Sequence, residues 1–268
     1  MISTIRKFIA AGTLAILFAS TASAATWTLS KPGNYKMRTN RSVTSGDAIV
    51  ITASNVTLDL GGFSVSTTAP GTGRGIVVQG AKGVVIHGGH VGGFNANVAV
   101  LDSQNVRVND VQVVGGGLAP NNGPTEIGVL LINSRGCDIS DNNISSVNLG
   151  IFIRGEHSTG NRIMKNVVSG GATVANNLLG ICYNPAPTPA GGVANPAGPR
   201  GDNIYNNTIT RFGFAIAVSA GSIQNMFIDN VMASFTGAFR EPQFFVAGGG
   251  TNVEIGNTAV VIPAVATP

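Results

Sequence analysis

The stretch Gly75-Ile76-Val77-Val78-Gln79 decides the fold, because similar stretches recur along the chain. Each opens with glycine or another small residue and continues with apolar residues at alternate positions. The interval from Gly128 to Gly150 is 22 residues, and other intervals are about 30 and 35 residues. A period of this length is typical of a solenoid. The other copies begin at Ala48, Asn97, Gly180 and Ala215.

Two further short apolar segments follow each copy, such as Cys137-Asp138-Ile139 and Asn142-Asn143-Ile144. Three short strands in a repeat of about this length fit a coil in which each strand pairs in parallel with its counterpart one coil away. The sequence therefore predicts an all-β fold, a single right-handed parallel β-helix of about eight coils with three short strands per coil. Spaced leucines with helices, the signature of a leucine-rich repeat, do not occur.

The alternation within each strand predicts which side chains face the core. Residues i and i+2 share a face of a strand, so the aliphatic positions should point inward. The residues predicted to point inward are Ile76, Val78, Val98, Val100, Val129, Leu131, Ile151, Ile153, Ile181, Ile216 and Val218. Those predicted to point outward are Val77, Gln79, Leu130, Ile132, Phe152, Arg154, Cys182 and Asn184.

The first 24 residues read as a secretory signal peptide rather than as part of the fold. Arg6 and Lys7 precede the apolar segment Phe8 to Phe18, and Ala22-Ser23-Ala24 fits a cleavage site. We therefore expect an exported protein, secreted or periplasmic, with no membrane-spanning segment after cleavage. Residues 25–46 should form an N-terminal cap, residues 47–262 the β-helix and residues 263–268 a tail.

Composition restricts the partners. Only 10% of the residues are charged, and 37 of the 268 residues are glycine, which suits an all-β chain with many turns. Without Arg6 and Lys7, fourteen basic residues face twelve acidic ones, a net charge of +2. No dense basic patch favours a nucleic-acid partner. Cys137 should face the core and Cys182 the outside, so no disulfide is expected between them.

Polar positions also repeat. Asn142, Asn166, Asn207 and Asn230 occupy equivalent places in successive coils and predict an asparagine ladder at a tight turn, since asparagine tolerates the left-handed backbone that such turns need. Arg107, Asp138 and Arg162 form an outward row of alternating charge, which we interpret as cross-strand pairing.

Three segments interrupt the repeat, namely 115–126, 170–179 and 184–201. All adjoin the first strand of a coil, and loops on one side of a regular scaffold form the walls of a groove. The residues expected to be exposed there and to act in catalysis are Glu126, Arg154, Glu156, His157 and Asp202; those expected to bind substrate are Phe152, Asn184 and Arg200. Such a set suits glycoside hydrolysis, uronate elimination or metal binding.

The opening of the repeat resembles a known family. Lys31-Pro32-Gly33-Asn34-Tyr35, Asn55-Val56-Thr57-Leu58-Asp59 and Asn203-Ile204-Tyr205-Asn206-Asn207 resemble exported bacterial β-helix repeat proteins of the pectate-lyase-like superfamily and the periplasmic NosD-like β-helix. The resemblance implies a partner that is a polysaccharide or a cell-envelope glycan, and uronate-containing chains are one candidate. It transfers no catalytic residue, because the Asn-Thr-Asp, Asp-Asp, Gly-His-Gly and Arg-Ile-Lys motifs of polygalacturonases do not occur.

Two functions follow from these observations. The first is binding or processing of a polysaccharide in a groove on one face, by a lyase or a glycoside hydrolase if the protein is an enzyme, with calcium as a candidate cofactor. The alternative is a non-catalytic secreted or periplasmic scaffold or accessory protein. The oligomeric state and the metal stay open at this point.

Overall fold

A computed structural model describes residues 24–116, 126–171, 179–184, 198–218, 221–235, 244–246 and 251–262. These residues contain strands and no helix. In chain order the strands are β1 (Trp27–Leu29), β2 (Gly33–Lys36), β3 (Arg41–Val43), β4 (Ile49–Ile51), β5 (Val56–Asp59), β6 (Ser64–Thr67), β7 (Arg74–Gln79), β8 (Val85–Gly92), β9 (Ala96–Leu101), β10 (Arg107–Val114), β11 (Ile127–Ile132), β12 (Asp138–Ser140), β13 (Asn143–Val147), β14 (Leu149–Arg154), β15 (Arg162–Met164), β16 (Val167–Gly170), β17 (Leu179–Asn184), β18 (Asn203–Tyr205), β19 (Thr208–Thr210), β20 (Phe214–Val218), β21 (Met226–Ile228), β22 (Val231–Phe235), β23 (Phe244–Val246), β24 (Val253–Ile255) and β25 (Thr258–Ile262).

The strands form two long parallel sheets, as the repeat predicts. The first sheet has the order β1-β4-β7-β9-β11-β14-β17-β20-β23, so each coil of the described chain contributes one strand in sequence order. The second sheet contains the other strands, which form two rows side by side. Strands β8 and β10 are long enough to belong to both rows: β8 pairs with β5 and β6, and β10 pairs with β12 and β13. The register is regular: Leu131 is opposite Val100 in one neighbouring coil and Ile153 in the other. The chain is a right-handed parallel β-helix.

The core is a narrow aliphatic column between the sheets. Every residue that the alternation predicts to point inward is fully buried, and all of them belong to one continuous hydrophobic cluster. Cys137 lies in this cluster, whereas Cys182 is buried outside it, and both thiols are free. The inward positions are therefore confirmed, including that of Cys137. Among the positions predicted to point outward, Val77 and Cys182 are buried as well, although neither belongs to the core cluster.

The glycines that open the repeat are needed for close packing between coils. A Cβ atom on Gly150 would lie 2.3 Å from the Gly180 carbonyl oxygen and 2.3 Å from Val168 Cγ1. Gly128 and Gly180 are equally crowded by the next coil. Asn97 occupies the same column in its coil, and its amide bonds the Phe94 N–H and the Ile127 carbonyl instead. The small residue that marks each repeat thus has a steric cause.

The predicted asparagine ladder is confirmed and is joined by two more ladders. The left-handed backbone expected of the ladder asparagines lies instead at the residue before each of them, such as Asp141 before Asn142 and Asn206 before Asn207. Asn166 Nδ2 donates to Asn207 Oδ1 at 3.0 Å and to the Ile139 carbonyl at 2.8 Å, and this pattern repeats from Asn142 to Asn257. A second ladder contains Asn161, Asp202, Asn225 and Asn252. A serine ladder lies at the end of the first sheet, where each hydroxyl accepts the N–H of the preceding coil. Its members are Ser103, Ser134 and Ser158.

Large side chains cover the core at the first coil, which β1, β2 and β3 form. Trp27, Tyr35 and Arg41 are opposite Ile49, Leu58 and Val65 of the next coil. The Trp27 and Tyr35 rings meet edge to face with centroids 6.1 Å apart, and the Arg41 guanidinium lies 5.9 Å from the Trp27 ring. Such amphipathic groups can cover an apolar end and still contact water. The expected division of the chain at residue 46 stays a prediction.

Candidate functional site

The outer face of the first sheet carries an apolar column. Phe152 in β14 is opposite Leu130 in β11 and Cys182 in β17. Phe152 and Leu130 are half-buried, whereas Val77 and Ala99 of earlier coils are fully buried although they are not part of the core cluster. Within the described part of this face, Phe152 therefore places a partly exposed aromatic ring in the column.

Arg154 lies beside Phe152 on the same face. The two residues are two positions apart in β14, which places their Cα atoms about 7 Å apart on one side of the strand. Arg154 is half-buried, and its Nε atom is buried without a hydrogen-bond partner. An aromatic ring can stack on the apolar face of a sugar, and a guanidinium matches the geometry of a carboxylate.

The neighbours of Arg154 are set by the register. Ile132 of β11 and Asn184 of β17 are opposite Arg154 in the two adjacent coils. Three of the predicted site residues, namely Phe152, Arg154 and Asn184, are thus brought to one part of the first sheet. The segments 117–125, 172–178 and 185–197, which contain most of the three predicted loops, lie outside the described residues.

Two predicted catalytic carboxylates are not exposed, and that expectation is wrong. Glu126 is fully buried just before β11, where its Oε1 accepts the Gly116 N–H at 2.7 Å and its own N–H donates to Asn148 Oδ1. Asp202 is fully buried because it occupies an asparagine position in the second ladder, where Oδ1 accepts the Asn161 N–H at 2.6 Å. Neither carboxylate can reach a polymer on the outer face.

The other predicted residues lie on turns. Glu156 and His157 are exposed, and His157 Nε2 lies 3.4 Å from Glu156 Oε1. Arg200 is exposed in a turn column, opposite Thr159 and Ile223. The five residues predicted to act in catalysis therefore do not form a single cluster. In the described ranges, no three His, Cys, Asp or Glu residues are placed to hold a metal ion, and no helix is long and apolar enough to cross a membrane.

A second polar cluster lies on the second sheet. Arg107, Asp138 and Arg162 are opposite one another in β10, β12 and β15. Arg162 Nη2 donates to Asp138 Oδ2, and Arg107 Nε lies 3.9 Å from the same oxygen. The hydrogen bond to Asp138 raises the pKa of the Arg162 guanidinium. The cross-strand pairing expected from the sequence is therefore present.

A comparison with one solved structure, a glycoside hydrolase, supports the fold. A glycoside hydrolase aligns with a TM-score of 0.54 at 12% identity, over 82% of this chain and 38% of its own. The hyperthermoactive exopolygalacturonase from Thermotoga maritima aligns with a TM-score of 0.45 at 12% identity, over 90% of this chain and 62% of its own. The alginate lyase from Paenibacillus sp. str. FPU-7 aligns with a TM-score of 0.39 at 11% identity, over 84% of this chain and 99% of its own.

The present chain therefore spans less than half of the glycoside hydrolase that it resembles. At this identity the likeness establishes the shared β-helix architecture alone. No protein-family model and no curated protein matches the sequence.

Proposed function

We propose that this protein is exported and binds an acidic polysaccharide along the outer face of the first sheet, with uronate-containing chains as the first candidate. The observation that carries the proposal is the position of Arg154, whose buried Nε has no hydrogen-bond partner and which lies beside the half-exposed ring of Phe152.

An unpaired buried donor on a charged group is unfavourable. Leaving such a group without a partner costs about 1–3 kcal/mol or more, and a ligand carboxylate would recover this cost when the half-buried Arg154 side chain turns its Nε outward on binding. A bidentate bond to a guanidinium also selects a planar anion over a neutral hydroxyl group. A sugar that stacks on Phe152 and carries a carboxylate toward Arg154 would satisfy both residues at once.

Binding without cleavage fits the described residues better than catalysis does. Hydrolysis of a glycosidic bond needs two carboxyl groups flanking the bond, and elimination needs a base close to the sugar proton. Glu126 and Asp202 are enclosed, and Glu156 is in a turn beside His157. The alternative of a non-catalytic scaffold predicts no affinity for any polysaccharide.

The test is binding to polygalacturonate, to its methyl ester and to a neutral glucan, measured by affinity electrophoresis and calorimetry. The Arg154→Ala variant should lose roughly tenfold to a hundredfold in affinity for polygalacturonate, as expected for a charge-assisted bond, and little for the ester. Phe152→Ala should lose about threefold to tenfold for both. Arg38→Ala, which removes an exposed arginine of the first coil, is the matched control.

Three results would contradict the proposal. Unchanged affinity in both variants would exclude the Phe152 face as the binding site, and the absence of binding to every polymer would favour the scaffold. Release of reducing ends or of unsaturated sugars would show that the protein is an enzyme and would refute the binding-only form of the proposal.

A further inference from the structure

The outer side of the second sheet contains a depression of about 240 Å³. Arg107 and Arg162 stand on its two sides, and Asp138 lies between them in the intervening coil. The rest of the lining consists of Asn105, the turn glycines Gly83 and Gly136, and two valines. The depression is open to solvent on a sheet other than the one that carries Phe152.

Asp138 has one oxygen without a partner. Its side chain is only 10% exposed, and Oδ2 is the oxygen that faces both arginines. Oδ1 is buried and accepts no hydrogen bond. A buried carboxylate oxygen that accepts nothing is unfavourable, so a hydroxyl donor in the depression would be bound favourably there once a small shift of the Asp138 side chain opens Oδ1.

The two arginines keep most of their capacity to bind an anion. Their side chains are 57% and 49% exposed, for Arg107 and Arg162 respectively, and one carboxylate cannot neutralise two guanidinium groups. They are two coils apart, which is about 10 Å at the usual spacing of parallel strands. A ligand in the depression therefore meets positive groups on both sides and a hydroxyl acceptor at the centre.

A parallel column of cations runs along the neighbouring turn. Lys82, Arg135 and Arg200 are exposed, and they alternate with Gln104 and Thr159 in a continuous register, so the cations recur at every second coil. The acidic groups on the preceding turns are Asp102, which contacts Asn133, and Glu156, which lies beside His157. The cations thus follow a straight line along the helix axis, which suits a linear polyanion better than a flat membrane surface.

We propose that this depression binds an acidic sugar unit of a linear polysaccharide, separately from the Phe152 face. A sugar hydroxyl donates to Asp138 Oδ1, and the anionic group of the same or the next unit accepts from Arg107 or Arg162. The chain then continues along the column of Lys82, Arg135 and Arg200. The ligand class is a polymer that carries hydroxyl groups together with carboxylates or sulfates.

The test separates this site from the first by starting from the Phe152→Ala/Arg154→Ala double variant. In that background, residual binding of oligogalacturonate should fall about threefold to tenfold on Asp138→Asn, because the amide oxygen faces the arginines and an NH2 donor replaces the acceptor at the Oδ1 position. Binding of polyacrylate, which has carboxylates and no hydroxyl groups, should stay equal or become tighter, because Arg107 and Arg162 are released from the carboxylate. Arg107→Ala should weaken both ligands, and Arg107→Lys should restore polyacrylate binding.

Several outcomes would overturn the proposal. Oligogalacturonate binding that is unchanged or stronger in Asp138→Asn would mean that the cluster is a non-specific cationic patch. Tighter binding of single-stranded DNA or of phosphatidylglycerol vesicles than of oligogalacturonate by the double variant would point to another class of partner. Loss of all binding in the double variant would show that only the Phe152 face binds. Circular dichroism of each variant confirms that the fold is retained.

Discussion

Replacement of Asp202 by asparagine should stabilise the protein above pH 7. Asp202 occupies one step of a ladder that otherwise contains amides. Asn225 in the next step donates from Nδ2 to the Pro199 carbonyl and to Asn252 Oδ1 at 3.3 and 3.1 Å. An ionised carboxylate can donate neither bond, although the backbone N–H of Asp202 still donates to Asn225 Oδ1 at 3.0 Å.

The surroundings of the Asp202 carboxylate disfavour its charge. The side chain is fully enclosed, and Oδ2 has no hydrogen-bond partner. Burial raises the pKa of Asp202 from 3.8 to about 7, partly offset by the bonds from Asn161. Two neighbours are affected in turn. The pKa of Tyr183 is raised well above its ordinary value of 10.0, and the pKa of Cys137 is raised to about 11. Burial is the largest cause in both cases, and the charge of Asp202 is a further cause.

The sign of the pH dependence follows from these values. Between about pH 4 and pH 7 the folded chain retains a proton that the unfolded chain releases, so the stabilising effect of that proton is lost as pH rises through this range. A difference of about three pKa units at about 1.4 kcal/mol each is on the order of 4 kcal/mol. This is an upper limit, because the Tyr183 hydroxyl can rotate toward the carboxylate. Above about pH 7 both the folded and the unfolded chain have released this proton, so its contribution to stability is absent and no longer changes with pH.

The assay is urea unfolding followed by circular dichroism at pH 4 and pH 8, on the wild type and Asp202→Asn. The variant should be about 2–4 kcal/mol more stable at pH 8 and within about 1 kcal/mol of the wild type at pH 4. The difference between the two proteins cancels the titration of all other carboxylates. Asn207→Asp, which places a carboxylate in the uninterrupted ladder, should be less stable than the wild type, and the loss of stability should be larger at pH 8 than at pH 4. A stability difference that is the same at both pH values would refute the reasoning.

Three further predictions test the packing. Gly150→Ala should destabilise the fold by about 1–3 kcal/mol, because its Cβ would lie 2.3 Å from the Gly180 oxygen. Gly160→Ala, which has open space around the new Cβ but a φ of 65°, should cost only about 1 kcal/mol. Thermal unfolding of both variants measures the difference. Ser134→Ala should cost about 1–3 kcal/mol in urea unfolding, because the buried Ser103 N–H loses its acceptor, and Ser45→Ala at an exposed position should cost nothing measurable. Burial raises the pKa of both thiols, so a thiol reagent at pH 8 should detect none in the native protein and two per chain after denaturation; rapid native labelling would contradict the enclosed positions.

The repeat predicted the fold because one physical rule governs every coil. Alternation placed Ile76, Leu131 and Ile153 inward, and the tight turn required the asparagine ladder. The candidate site was harder to predict, because exposure depends on which turn column a residue enters. Asp202 follows a proline-rich segment and looks like a loop residue, yet it occupies a ladder position set by the register with Asn161 and Asn225. The repeat length alone could not distinguish the buried ladder position of Asp202 from the exposed turn position two residues earlier, which Arg200 occupies.

Buried polar atoms without a partner therefore have two different consequences in this fold, and the surroundings of the residue that carries the atom decide which one applies. Uniform coils satisfy nearly every backbone group between neighbours, so an unpaired polar atom marks a departure from the repeat. At Asp202 Oδ2 the departure is enclosed between coils, where no ligand can reach it, and its consequence is a pH-dependent loss of stability. Arg154 Nε and Asp138 Oδ1 belong instead to outward rows, next to a half-exposed ring and in an open depression. All three atoms are buried, but only the two in outward rows can meet a partner from solution after a shift of their own side chain, so binding is expected at these two positions and a stability effect at Asp202.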